Sequence, residues 1–244
     1  NRNHGICPHC GANFQISYRA YFDFIIGRGT AQELAREIKS TDFLKFKDEK
    51  RYSDRLKGYH KKTGLPSAVW TGTGQIHGRP VGIGVHEFGF GGGTLGSAEG
   101  ERICRLIDRC RQERLPLILV CRAGGARMQE GTFAAMQMAK VNAKLAQFSD
   151  EGLLYISIVA DPTTGGVAAS YGLVGDIIIA EPNALIQFAG EVITRSSVGE
   201  EELKALRRVT RSEPYLEHGF VDMVVPRNEM KPTLTKLLSL LCEN

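Results

Sequence analysis

Leu117-Ile118-Leu119-Val120-Cys121-Arg122-Ala123-Gly124-Gly125-Ala126-Arg127-Met128-Gln129-Glu130 is an apolar run that ends in a glycine pair. A second run of the same design lies downstream: Leu154-Tyr155-Ile156-Ser157-Ile158-Val159-Ala160-Asp161-Pro162-Thr163-Thr164-Gly165-Gly166-Val167-Ala168-Ala169-Ser170. Each reads as a buried strand delivering a side-chain-free piece of backbone to one place, with a helix expected to follow. The first N–H groups of a helix are unpaired and partly positive. Two such devices predict a backbone site for a negative oxygen, in which amides do what side chains do elsewhere.

Working outward, strands and helices alternate. Residues 68–88 predict two strands joined at His77-Gly78-Arg79-Pro80. Phe88–Ser97 is a glycine-rich loop, followed by a helix with Ile103, Leu106, Ile107 and Cys110 on one face. A long helix carrying Phe133, Met136, Leu145 and Phe148 separates the two glycine devices. Short strands are expected at 175–182, 184–188 and 221–225, with an acidic-then-basic helix before the last strand and a helix built on Leu234, Leu237, Leu238 and Leu241 after it. This order predicts an α/β fold with right-handed crossovers, built of repeated ββα turns. Gly82-Ile83-Gly84 lacks the third glycine and the helix of a dinucleotide fingerprint.

The 244 residues and 42% apolar content suit one large domain with a small appendage. No apolar run reaches the roughly 20 residues of a membrane span. The net charge of +4 fits an anionic ligand such as a nucleotide or coenzyme A. Three parts are expected: a zinc-ribbon remnant at 1–25, a basic helical or irregular segment at 26–62, and the main domain at 63–244. Cys7-Pro8-His9-Cys10 is a zinc-knuckle turn, in which Cys7 and Cys10 can reach one tetrahedral ion. Zinc needs four ligands. His4 and His9 are candidates at unusual spacing, and a second cysteine pair upstream of Asn1 is the better explanation. Cys104, Cys110 and Cys121 read as buried reduced thiols, so a reducing compartment is expected.

Conventional catalytic motifs are missing: there is no Gly-x-Ser-x-Gly, His-Glu-x-x-His or P-loop. The six histidines fall outside both glycine devices. Arg127 could meet a carboxylate or pair with Glu130. An acyl thioester that loses an α-proton or CO2 places charge on its carbonyl oxygen, and one well-aimed donor there is worth roughly 3–4 kcal/mol. The reading is therefore thioester chemistry through an enolate, with Gly124, Gly125, Gly165 and Gly166 as the catalytic backbone.

Gly124-Gly125-Ala126-Arg127-Met128-Gln129-Glu130, Asp161-Pro162-Thr163-Thr164-Gly165-Gly166-Val167, Met136-Gln137-Met138-Ala139-Lys140, Leu44-Lys45-Phe46-Lys47-Asp48, Ala180-Glu181-Pro182 and Cys7-Pro8-His9-Cys10 together resemble the carboxyltransferase β subunits of bacterial-type acetyl-CoA carboxylase. The resemblance runs over almost the whole chain. It implies a crotonase (ClpP)-like superhelix of ββα units behind a four-cysteine zinc ribbon, of which this chain carries part. It implies an α-subunit partner, an α2β2 assembly in the cytoplasm, and biotin on a separate carrier protein. Acetyl-CoA is then substrate and malonyl-CoA product, and biotin takes the methyl proton. Phe90, Gly92 and Gly93, with Ala126, Arg127 and Thr164, are expected to line the acyl-CoA site.

Four departures from the family stand out. Thr164 replaces Met, Ala123 replaces Ser, Glu191-Val192-Ile193 replaces Pro-Arg-Val-Ile, and the Leu-Pro-x-Gly-Phe-Gln stretch before Ser212 is absent. They suggest a specialised paralogue. Two other readings stay open: a biotin-independent malonyl-thioester decarboxylase on the same fold, and a nucleic-acid-binding zinc-ribbon protein, motivated by the basic Lys45–Lys62 stretch.

Overall fold

The computed structural model describes residues 3–27, 29–189 and 196–242. Its centre is an eight-stranded mixed sheet. The strands are β1 (Gln32–Glu33), β2 (Val69–Ile76), β3 (Arg79–His86), β4 (Leu117–Ala123), β5 (Tyr155–Thr164), β6 (Ile177–Ala180), β7 (Ile186–Gln187) and β8 (Met223–Val224). The order is β1-β2-β3-β4-β5-β6-β8, with β7 beside the end of β5. β1, β2 and β3 pair antiparallel, and every pairing from β3 onward is parallel.

Strand β4 shows why both faces are covered. Its side chains alternate. Ile118 and Val120 join Ile83, Val85, Ile156 and Ile158 in a core sealed by α1 (Tyr18–Ile25) and α8 (Arg227–Leu241). Leu117, Leu119 and Cys121 point the other way, into a core shared with α3 (Ser97–Glu113) and α4 (Gly131–Asp150). All seven residues of β4 are buried, so the run carries no polar face.

The Gly82-Ile83-Gly84 pattern has a packing explanation. A Cβ at Gly82 would overlap Cys110 Sγ of α3, and one at Gly84 would lie 2.6 Å from Leu119 Cδ2. The glycines let the helix settle onto the strand. The turn between β2 and β3 is shorter than the sequence suggested: only His77 and Gly78 turn, with φ of 47° and 83°, while Arg79 and Pro80 already pair in β3. This is the twist-matched two-residue hairpin.

The expected division at residues 25 and 62 is not one of separate layers. Tyr21, Ile25 and Ile26 sit in the main core, and Glu33 pairs with Gly72 of β2. The basic stretch forms α2 (Tyr52–Thr63), which buries Tyr52 and Leu56 against Ala68 and Phe90. The remaining helices are α5 (Gly165–Ala168), α6 (Glu200–Val209) and α7 (Ser212–Glu217). The Glu191-Val192-Ile193 departure lies outside the described residues.

Burial pushes the thiols of Cys110 and Cys121 up to about 12 and that of Cys104 to about 11, as reduced core residues require. Among the described residues no helix is long and apolar enough to cross a membrane.

Candidate active site

The two glycine pairs meet. β4 and β5 are parallel neighbours, so both deliver their glycines to the same end of the sheet. A Cβ built on Gly125 would lie 3.3 Å from Gly165 Cα and 3.4 Å from the Gly166 nitrogen. One on Gly166 would lie 3.4 Å from the Ala126 nitrogen. Gly125 (φ 108°) and Gly165 (φ 57°) adopt backbone shapes that favour glycine. The junction is at the surface: Gly124 and Ala126 are exposed, and Gly165 and Gly166 half-buried.

The amides of Gly125, Ala126 and Gly166 have no acceptor among the described residues. They are the donors an oxyanion could take. Gly124 is withdrawn from that role, because its N–H donates to the Gly92 carbonyl at 2.9 Å. Gly165 follows the Thr164–Gln187 pair of the β5–β7 ladder, so its contribution is shape.

The helix expected after the second glycine pair is present but short: Gly165 opens α5, a single turn of four residues. The one expected directly after the first pair is corrected: Ala126 is extended and bridged to Leu95, a 3-10 turn follows at Met128–Glu130, and α4 starts only at Gly131. The donors are bare amides held by neighbouring strands, with little help from a helix dipole, which fades within one turn.

The glycine-rich loop supports this junction. Gly91, Gly92 and Gly93 all have positive φ (57°, 71° and 66°), and a Cβ on Gly93 would overlap the Arg122 carbonyl. Leu95 N–H donates to the Gly125 carbonyl (2.9 Å) and Arg127 N–H to the Leu95 carbonyl (2.8 Å). The loop thereby fixes where Ala126 stands.

Three of the expected lining residues face inward, and Arg127 makes the pair with Glu130 that its spacing allowed. Arg127 is 2% exposed, and its guanidinium is fully engaged. It donates to Glu99 (2.8 Å), Ser40 Oγ (2.9 Å), Tyr52 Oη (3.2 Å), Glu130 (3.4 Å), and the hydroxyl and carbonyl of Thr94. Phe90 is fully buried against Tyr59 and His60, with the Arg127 guanidinium over its ring. Thr164 is buried, and its hydroxyl donates to the Ala123 carbonyl (3.3 Å). These residues build the scaffold. A Cβ on Gly92 would meet only Thr94 Cγ2, at 3.9 Å, whereas Gly93 is packed from behind.

Sequence reading overlooked the polar network beneath. Glu99 accepts from Ala68 N–H, Ser40 and Arg127; burial opposes its ionisation, but Arg127 and the amide outweigh that and hold the carboxyl below its usual range. Glu130 accepts from Tyr52 Oη (2.8 Å) and Ser97 N–H (2.7 Å). Four partners of Arg127 (Glu99, Thr94, Tyr52 and Ser40) lie 28 to 87 residues away in sequence, so no local spacing announces them.

His86 was also passed over. Its Nδ1 lies 2.8 Å from the Gly93 carbonyl and its Nε2 2.9 Å from Tyr171 Oη. Burial lowers its pKa to about 4. The neutral ring donates from Nδ1 and accepts at Nε2. Between about pH 6.5 and 4 the unfolded chain binds this proton and the folded chain does not, so stability falls as pH falls, by up to about 3 kcal/mol. We expect the urea midpoint to drop through that window, and a His86→Gln variant to lose most of that slope.

At the amino end, Ile6 bridges Asn13, and Cys7 N–H donates to the Ala12 carbonyl (2.8 Å). Hydrogen bonds from the backbone of Cys10 and His9 lower the Cys7 pKa, which suits a thiolate ligand. Among the described residues no third His, Cys, Asp or Glu joins Cys7 and Cys10. His4 packs edge-on against Phe24 instead, centroids 5.4 Å apart.

A mixed sheet of ββα character, with two glycine turns at one end, defines a crotonase-like fold. The chain belongs to the carboxyl transferase family, whose domain matches residues 29–242. It is 48% identical to the acetyl-coenzyme A carboxylase carboxyl transferase subunit beta of Trichodesmium erythraeum, over 98% of this chain and 72% of that one. It is 46% identical to the chloroplastic subunit of Pyropia yezoensis, over 98% and 82%. Among solved structures, transcarboxylase 12S shares the fold at a TM-score of 0.72 and 23% identity, over 92% of this chain and 41% of that one. A Pseudomonas malonate decarboxylase shares it at 0.71 and 17%, over 93% and 82%.

Proposed function

We propose that this chain is the β subunit of an acetyl-CoA carboxylase carboxyltransferase, passing a carboxyl group from carboxybiotin to acetyl-CoA to give malonyl-CoA. One observation carries the reading: the amides of Gly125, Ala126 and Gly166 lie together where the two glycine turns meet, without protein acceptors among the described residues, next to the exposed Gly124 and Ala126. An acetyl thioester seated there has its carbonyl oxygen facing N–H donors. As the methyl carbon gives up its proton, the charge that reaches that oxygen is met without any rearrangement. The new carbon–carbon bond forms at that methyl carbon. Biotin, brought by a carrier protein, supplies the carboxyl group.

The site is one-sided, as a site completed by a second subunit would be. Phe133 (54% exposed) and Met136 (59%) on α4, and Met128 (66%) just before it, present apolar surface. A carboxyltransferase α subunit in an α2β2 assembly is the partner we assign to that side. We place the reaction in the cytoplasm, in fatty acid biosynthesis. Zinc at Cys7 and Cys10, completed by two ligands from beyond the described residues, serves as a structural clip.

The test is reconstitution. The chain alone should be inactive; with an α subunit and biotinylated carrier it should transfer labelled carboxyl to acetyl-CoA. Failure of every such pairing, with the complex formed, would overturn the reading. Release of CO2 from a malonyl thioester without biotin would select the decarboxylase instead.

A further inference from the structure

On the α1 side of the sheet, a cavity of about 370 Å3 opens between the segment leading into α1, the end of α2 and the start of the glycine-rich loop. Its lining includes Arg19, Lys62, Arg122, Glu87, Tyr18 and Phe88. Arg122 is the unusual member, being 1% exposed. Its Nε donates to the Asp161 carbonyl (2.8 Å) and its Nη1 to the Ile16 carbonyl (2.7 Å), while its guanidinium lies over the Phe88 ring. No acidic side chain pairs with it among the described residues, and its Nη2 has no partner there.

The other buried arginines behave differently. Arg102, Arg127 and Arg227 each meet a carboxylate within 3.0 Å. With no paired carboxylate and with its Nη2 open to the cavity, the Arg122 guanidinium is placed to take an anion from outside. The one carboxylate in the cavity does not serve: Glu87 accepts the amides of Tyr18 (2.9 Å) and Gly89 (2.8 Å). Lys62 and Arg19 stand exposed at the rim, and Lys62 has no carboxylate partner among the described residues. Three cations therefore face one engaged carboxylate, beside an aromatic wall.

We propose that this cavity is an anion subsite that takes a phosphate group, with Arg122 as the fixed donor and Arg19 and Lys62 as mobile ones. Guanidinium and ammonium donors on one side, and a ring face on the other, suit a phosphate borne by a nucleotide-like ligand. The same chemistry would accept free phosphate or pyrophosphate. The subsite stands apart from the glycine junction and does not depend on the transferase reading.

The experiment is titration calorimetry of the full chain with pyrophosphate. Saturable single-site binding is expected, weakened at least tenfold in an Arg19→Ala/Lys62→Ala variant, and weakened by added salt. Arg122→Met should abolish it; if that variant fails to fold, the exposed rim pair decides alone. Coenzyme A displacing pyrophosphate would identify the source as a coenzyme phosphate, and pyrophosphate binding that coenzyme A leaves unchanged would identify a free one. Absence of saturable binding, or binding unaltered in the rim variant, would overturn the proposal. Carboxyl transfer by the reconstituted complex is scored separately, so the two readings fail independently.

Discussion

Gly165→Val should cut carboxyl transfer by the reconstituted complex by at least ~100-fold and leave the chain folded. A Cβ at this position would stand 3.0 Å from Gly125 Cα, on a backbone with φ of 57°. A branched side chain there must push the two glycine turns apart. That moves the amides of Gly125, Ala126 and Gly166 off their common target. Loss of one aligned oxyanion donor costs roughly 10² to 10³ in turnover, and here more than one moves. The left-handed backbone costs about 1–3 kcal/mol for a residue other than glycine, less than the 5–15 kcal/mol of a typical domain. Circular dichroism should therefore match the parent while turnover disappears. A variant with full activity would remove the glycine junction from the mechanism.

Arg127→Met should have the largest effect on stability, about 3–5 kcal/mol, read as a fall in the urea midpoint. Methionine roughly fills the space but strips the counter-charge from Glu99 and Glu130, which are 0% and 1% exposed. The pH dependence gives an internal check. Glu99 is held below its usual pKa in the folded chain, so its contribution is present above the unfolded value of about 4.3 and is lost as pH falls through the folded value. With Arg127 gone, the buried Glu99 should instead favour its protonated form. The variant should then recover part of its deficit as pH falls from neutrality toward 5. A deficit of the same size at both pH values would mean that packing, and not charge, is what Arg127 supplies.

Much of the fold could be read from residue order. Apolar runs ending in glycine placed β4 and β5, and their likeness predicted that they would run in parallel to one end. The convergence of Gly125 on Gly166 follows from that register. The direction of side chains near the glycines was not legible. Arg127 and Thr164 stand beside the junction in sequence and Phe90 in the glycine-rich loop, and each turns inward, because the loops that carry the amides need something to hold them. The Ala123 carbonyl holds the Thr164 hydroxyl, and Glu99 and Glu130 hold Arg127 under the loop. Proximity along the chain says little about which way a side chain faces.

The helix expected directly after the first glycine pair is displaced for a physical reason. A strand-turn-helix pattern in sequence does not reveal that Ala126 pairs with Leu95 before α4 begins, since that bridge joins segments thirty-one residues apart. Likewise, Phe133 and Met136 fit a helical stripe but lie on its outer face, while Leu145 and Phe148 lie on the inner one.

Arg227 gives the molecule an unexpected connection. Its guanidinium grips Glu181 with two hydrogen bonds (2.7 and 2.8 Å) and also donates to the carbonyls of Phe14 (2.8 Å), Gly5 and His4. The first turn of the last helix is thus bolted to the cysteine knuckle. Amino-terminal and carboxy-terminal ends are therefore one mechanical piece, and a truncation chosen to tidy either end will loosen the other.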